Sequence, residues 1–147
     1  MFKVHKKIIY AIEAVVDIAL NSGPDPVQNE SIARRQGIPK RYLEQTLQIL
    51  VKNKILVGSR GPKGGYSLAK ERRRIKIADI IKSVSNEDSL ISTFNSELSK
   101  KIVLPLINDI SLQCFEKFNN ISIEEVCRIA KTKKLKKDIS KKVDFVI

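Results

Sequence analysis

The stretch from Lys40 to Ala69, KRYLEQTLQILVKNKILVGSRGPKGGYSLA, constrains the fold most, because its apolar pattern changes period halfway along. From Lys40 to Asn53, Leu43, Leu47, Leu50 and Val51 recur at i, i+4, i+7 and i+8, one face of an amphipathic helix. The opposite face carries Lys40, Arg41, Glu44, Gln45, Gln48 and Lys52, long side chains that can reach into a groove and bond there. Beyond Asn53, Ile55, Leu56 and Val57 form a short apolar run, and Gly61-Pro62-Lys63-Gly64-Gly65 is turn chemistry. Tyr66 and Leu68 then alternate with Ser67 and Ala69, which predicts a β-hairpin. A polar-faced helix followed by a hairpin with Arg60 and Lys63 at its tip is the pattern of a winged helix-turn-helix. In that arrangement the helix enters a DNA major groove and the hairpin reaches the neighbouring groove or backbone.

The segments on either side fit this frame. Ile8, Ile12, Val15, Val16 and Ala19 predict a first helix from Lys6 to Leu20, ended by the prolines of Asn21-Ser22-Gly23-Pro24-Asp25-Pro26. Asn29 is the expected N-cap of a short helix from Glu30 to Gln36, with Gly37 just past its end. Ile32 and Ala33 then face inward. Arg34 and Arg35 face outward, where with Ser31 they are candidate phosphate contacts or simply a solvated face. Pro39 is expected in the first turn of the reading helix. Arg41 can bond guanine O6 and N7 as a two-pronged donor, worth about 1–3 kcal/mol of discrimination. Glu44 can accept from a cytosine amino group, or pair with Lys40 one turn earlier. Gln45 can read adenine or bond phosphate, and Tyr42 belongs to the same candidate DNA-binding set. Gly61, Gly64 and Gly65 permit a tight turn and a close backbone approach to phosphate. Tyr66 is expected to pack rather than stack on a base. Lys70 to Lys76, centred on Arg72-Arg73-Arg74, reads as a charged connector, either solvated or touching flanking DNA.

Ile77, Ile80, Ile81 and Val84 return to helical spacing and close a DNA-binding domain spanning 1–84. A polar linker, 85–99, follows. The next stripe contains Val103, Leu106, Ile107, Ile110, Cys114 and Phe118, with Leu104 and Phe115 beside them. It is wider than one face within a single chain requires, so part of it is expected to be covered by a second partner. Pro105 lies in the first turn of this helix or kinks it. Ser122 and Glu125 form a capping box for a last helix, to about Lys131, that packs Val126, Ile129 and Ala130. The domain map is completed by dimerisation helices over 100–131 and a basic, mobile tail over 132–147.

Charge supports the same division. Of a net charge of +12, residues 1–84 hold 17 Lys/Arg against 7 Asp/Glu, whereas 85–130 hold 4 against 7. The positive surface therefore coincides with the half expected to meet phosphate. No apolar run is long enough to span a membrane, and Glu13 and Asp17 interrupt the first apolar helix, so no signal peptide is expected. Two cysteines and no signal imply a reduced, cytoplasmic setting. Catalysis is not expected. One histidine offers no Ser/His/Asp set, and the glycine loop lacks the strand-to-helix context of a nucleotide-binding loop.

Particular motifs carry a family likeness as well. Ile32-Ala33, Gly37-Ile38, Arg41-Tyr42-Leu43-Glu44-Gln45, Arg60-Gly61-Pro62 and Gly64-Gly65-Tyr66 resemble the Rrf-two family of bacterial winged helix-turn-helix transcriptional regulators. Ile77-Ala78-Asp79-Ile80-Ile81 and Asn119-Asn120-Ile121-Ser122-Ile123 extend the likeness, which runs from about Lys7 to Lys131. The resemblance implies a mainly α fold with a small hairpin wing and a long dimerisation helix. It further implies a homodimer on a pseudo-palindromic operator, probing the minor groove with Arg60. Many members bind an iron–sulfur cluster through three closely spaced cysteines before the dimerisation helix, whereas this chain has none between Ser85 and Gln113. Nitrosyl-sensing members use an acidic residue where this chain has Ile8 and Ile9. No metal or cofactor is therefore expected, and a signal would arrive through a small ligand or a partner protein. Two alternatives stay open: an interaction module on a winged fold, and a redox or iron–sulfur sensor using His5, Cys114 and Cys127.

Overall fold

The computed structural model describes residues 4–85 and 93–133, so residues 86–92 of the expected linker and nearly all of the basic tail lie outside the described residues. The described residues are mainly helical, with one two-stranded antiparallel hairpin. Helix α1 (Lys6–Leu20) is the hub, touching helices α2 (Asn29–Gln36), α3 (Lys40–Lys52), α4 (Ile77–Val84) and α6 (Ile123–Thr132) and the second hairpin strand. Its buried face, Ala11, Ala14, Val15, Ile18 and Ala19, meets Ile32, Leu43, Leu47, Leu50 and Ile80 in one core. Each Leu or Ile removed from water there contributes roughly 1.5–3 kcal/mol.

Two starts differ slightly from the sequence expectation. Asn29 is the first residue of α2 rather than its cap; Gln28 holds the cap position and makes no side-chain capping bond. Pro39 sits just outside α3 rather than in its first turn, and its carbonyl accepts the Leu43 N–H at 2.9 Å. Between them, Gly37 ends α2 in the left-handed region at φ 65°, which glycine enters without a Cβ clash. The end of α3 is unusual. The Lys54 N–H bonds the Val51 carbonyl and the Ile55 N–H bonds the Leu50 carbonyl, a Schellman closure. Its left-handed position is held by Lys54 at φ 60° rather than by glycine, a strain of about 1–2 kcal/mol.

Strands β1 (Leu56–Ser59) and β2 (Gly65–Leu68) pair with Leu56 opposite Leu68 and Ser59 opposite Gly65. A third segment joins them. Val27 and Tyr66 exchange both backbone hydrogen bonds, at 2.9 and 2.8 Å, so the α1–α2 loop forms a one-residue edge to the wing. Tyr66 is half-buried against the core, the packing role its place in the strand predicts.

Arg72–Arg74 form a single 3₁₀ turn, and Arg72 is not a solvated connector residue. Its guanidinium donates to the Ala19 carbonyl and to the Ser22 hydroxyl, satisfying the C-terminal end of α1. Helix α6 is stitched in beside it. The Ile77 N–H bonds the Ile121 carbonyl and the Ile123 N–H bonds the Ile75 carbonyl, both at 2.9 Å. The Ser122 hydroxyl caps α6 by accepting the Glu125 N–H. Grouped by sequence with the dimerisation helices, α6 in fact buries Ile123, Cys127 and Ala130, the first two in the core that α1 organises. Ile129 is 51% exposed rather than packed, because the i, i+4, i+7 spacing of the buried set turns it away.

Helix α5 (Leu104–Asn119) follows a π-helical turn, Ser99–Val103, in which the Leu104 N–H bonds the Ser99 carbonyl. Pro105 supplies no N–H to the ladder, which accounts for the wider turn just before it. Helical structure starts inside the expected linker, where the Ser96 hydroxyl accepts the Ser99 N–H and its carbonyl accepts the Lys100 N–H. No residue of α5 is buried.

Candidate nucleic-acid interface

The reading helix is fixed from behind. Leu43, Thr46, Leu47 and Leu50 are buried, which leaves Arg41, Glu44, Gln45 and Gln48 on the exposed face. Thr46 folds its hydroxyl back onto the Tyr42 carbonyl at 3.0 Å, so a polar residue in the core is satisfied locally. At the N-terminal end, Lys40 bonds Glu30 of α2 at 2.7 Å, tying the first turns of the two helices together across their exposed edge. That hydrogen bond lowers the Glu30 pKa and raises that of Lys40. The Lys40 side chain thus bonds Glu30, and Glu44, the partner considered from sequence, adds a smaller electrostatic attraction. Tyr42 meets Tyr10 edge-to-face, with ring centroids 5.4 Å apart, which commits its ring to the α1–α3 seam.

Arg34 and Arg35 separate. Arg34 is exposed, but Arg35 does not face outward as α2 periodicity suggests. Its Nε and Nη2 lie 2.9 and 2.7 Å from the two oxygens of Asp17, whose side chain is fully buried, and Gln36 adds a third donor at 2.7 Å. A buried carboxylate needs this matched set of donors, and Arg35 supplies two of them. The pair was not visible in the sequence, because Asp17 there only interrupts an apolar helix.

The wing comes back against α2. Pro62 and Lys63 line one cleft with Ser31, Arg35 and the loop residues Asp25 to Gln28. A Cβ on Gly65 would collide with the Val27 carbonyl oxygen, and one on Gly64 would lie 2.6 Å from the Ser59 carbonyl oxygen. These two glycines therefore allow the hairpin to close and to dock on the loop. Arg60, Gly61 and Lys63 remain exposed at the tip. Among the described residues, Arg41, Arg60 and Lys63 enter no ion pair.

Two helices in a helix-turn-helix, an exposed polar reading face and a basic hairpin locked beside them define a winged helix DNA-binding regulator. The particular family follows from comparison with known proteins. A model of the Rrf2 family, described as iron-dependent transcriptional regulators, matches residues 4–129, and this chain belongs to that family. The chain is 33% identical over 121 residues to the HTH-type transcriptional regulator IscR of Sodalis glossinidius (strain morsitans), covering 80% of this chain and 73% of that protein. It is 44% identical over 75 residues to IscR of Cronobacter sakazakii (strain ATCC BAA-894), covering 51% of this chain and 46% of that one. In structure it is similar to T. potens IscR, with a TM-score of 0.74, 29% identity and 95% and 96% of the two chains covered. It is also similar to CymR (YrzC), the global cysteine regulator of B. subtilis, at TM-score 0.66, 25% identity and 88% and 98% coverage. These relatives are transcriptional regulators, not enzymes.

The family description raises the question of iron. An iron–sulfur cluster is held by convergent thiolates or equivalent ligands. Of the chain's two cysteines, Cys114 lies exposed on α5, whereas Cys127 is buried in the core and burial pushes its thiol pKa up. Among the described residues no three His, Cys, Asp or Glu side chains converge to hold a metal ion. This donor set does not fit a cysteine-ligated cluster.

The dimerisation candidates lie along α5 and at the end of the turn before it. Val103, Leu106, Ile107, Ile110 and Phe118 are exposed apolar side chains, with Leu106 at 60%, and Cys114 lies exposed among them. Among the described residues no helix is long and apolar enough to cross a membrane.

Proposed function

We propose that the chain is a sequence-specific, cytoplasmic transcriptional repressor that binds double-stranded DNA as a homodimer. The reading helix α3 enters the major groove, where Arg41, Glu44 and Gln45 meet base edges while Lys40 and Tyr42 border the contact. Arg60 enters a narrow minor groove, favoured there by the concentrated negative potential. Ser31, Arg34, Lys63 and the backbone of Gly61, Gly64 and Gly65 bear on phosphate. Arg35, from the same candidate set, acts by holding α2 against α1. The carrying observation is the pairing of an exposed α3 face with a wing bonded back to the α1–α2 loop through Val27 and Tyr66. A reading helix and a hairpin tip held on one rigid body can address two neighbouring grooves at once.

The exposed α5 stripe supports the homodimer. An apolar row at 103, 107, 110, 114 and 118 follows the spacing of a helix–helix seam, and a second copy offers the matching row. Selection of bound fragments from a random duplex pool tests the reading. It should enrich a pseudo-palindrome with half-sites about one helical turn, roughly 34 Å, or a multiple of that apart. Failure to enrich any sequence would count against it.

A further inference from the structure

A second basic feature lies away from the wing tip and the N-terminal end of α3. A cleft of about 230 Å³ opens where the C-terminal end of α3, the base of the hairpin and α4 meet. Lys54, Lys70 and Lys82 line it, one from each of those three parts, over the buried side chains of Ile55 and Ile75. Among the described residues none of the three ammonium groups is in an ion pair. The one carboxylate in the lining, Asp79, already accepts the Lys76 N–H at 2.9 Å, and the Ser83 hydroxyl is donated to the Asp79 carbonyl. Three lysines around one concavity give it a positive potential that attracts an anion.

The C-terminal end of α3 borders the cleft. Carbonyls at the C-terminal end of a helix disfavour negative charge. In α3 the carbonyls of Ile49, Leu50 and Val51 are taken up by the N–H groups of Asn53, Ile55 and Lys54. Lys54 also holds a left-handed backbone that glycine would occupy without strain, and that conformation sets a lysine in the cleft lining. The volume of about 230 Å³ admits a phosphate group or a small dicarboxylate.

We propose that this cleft binds a compact dianion, a phosphate group or a small dicarboxylate, as an effector of DNA binding. The effector role rests on the function proposed above; the binding site does not. The ligand would bridge the far end of the reading helix and the base of the wing to α4, which itself touches α5. It would therefore bias how the reading elements sit on the dimerisation helix.

The test titrates the full ¹⁵N-labelled chain with potassium phosphate, and separately with malonate, with ionic strength held constant by chloride. Saturable shifts confined to the amides around Asn53, Lys54, Lys70 and Ser83 are expected with at least one of the two anions. A Lys54→Gln/Lys82→Gln variant with an otherwise unchanged spectrum should bind that anion at least about tenfold more weakly, since it loses two charged donors. Saturation by phosphate alone assigns a phosphorylated ligand, and by malonate alone a carboxylate. Linear shifts with both anions, or saturable shifts centred on Arg34, Arg41 and Lys63, would overturn the site. In a second arm the saturating anion should change the parent's affinity for a selected DNA and leave the variant's unchanged; equal behaviour would remove the effector role. Should the parent bind no DNA at all, the proposed function fails while the titration still decides the cleft.

Discussion

Arg35 grips Asp17 with two nitrogens, at 2.9 and 2.7 Å, across the seam between α2 and α1. The carboxylate is fully buried and the arginine side chain only 12% exposed, so the pair is shielded from solvent on both sides. Its value lies less in net attraction than in the penalty for breaking it, because one partner alone leaves an uncompensated charge. Asp17→Ala should therefore cost about 2–4 kcal/mol. Gln48→Ala, on the exposed face of α3, should cost less than about 0.5 kcal/mol. Urea unfolding of the two variants makes the comparison, and equal stability would show that Arg35 does not hold α2 in place.

The wing's attachment depends on Gly65. An alanine there pushes its Cβ into the Val27 carbonyl and should break the Val27–Tyr66 bridge, at an overpacking cost of about 1–3 kcal/mol. The Tyr66 amide, bonded to Val27 at 2.8 Å, should then exchange with solvent much faster than in the parent. Unchanged exchange at Tyr66 would mean the loop is not what fixes the wing.

Helix α5 predicts a dimer that one charge can split. Sedimentation of the parent at micromolar concentration should show a dimer of the 16.6 kDa chain, and Ile110→Asp a monomer, because an unpaired carboxylate buried in that seam costs several kcal/mol. Thiol labelling gives an independent reading. Cys114 should react quickly in the monomeric variant and slowly in the dimer. Cys127, with its pKa raised by burial, should stay unreactive in both until the chain unfolds. A parent that sediments as a monomer would remove the homodimer.

Iron offers a further check against the family's description. Protein prepared without oxygen should be colourless and carry no stoichiometric iron, since two cysteines on separate helices do not form a cluster site. An absorption band that bleaches in air would overturn this, and His5, Cys114 and Cys127 would be the first ligands to replace.

The sequence exposed what local periodicity controls. The limits of α1 and α4, the inward row Leu43, Leu47 and Leu50, and the turn glycines all follow from patterns within a few residues. What it hid depends on contacts between distant positions. Arg35 pairs with a residue 18 positions away, and Arg72 caps a helix end through a carbonyl 53 positions away. In sequence both look like ordinary surface charge. Val27 carries no strand signal, because a one-residue bridge has no period. Helix α6 read as part of the dimerisation unit because it follows α5 in sequence, whereas two backbone hydrogen bonds near Ile75 and Ile121 return it to the first core.

The salt dependence of DNA affinity in three variants tests the central claim, that α3 and the wing grip DNA, most directly. On a selected operator, about six to ten phosphate contacts should weaken binding by roughly 10³–10⁵ between about 50 and 200 mM salt. Lys63→Ala should weaken all sequences alike and lower the salt slope by about one unit, as a phosphate contact does. Arg41→Ala should instead cost about 1–3 kcal/mol and relax discrimination at one base pair. Arg60→Ala should do most harm where A·T-rich steps narrow the minor groove. Parent-like affinity, slope and sequence preference in all three variants would contradict the account.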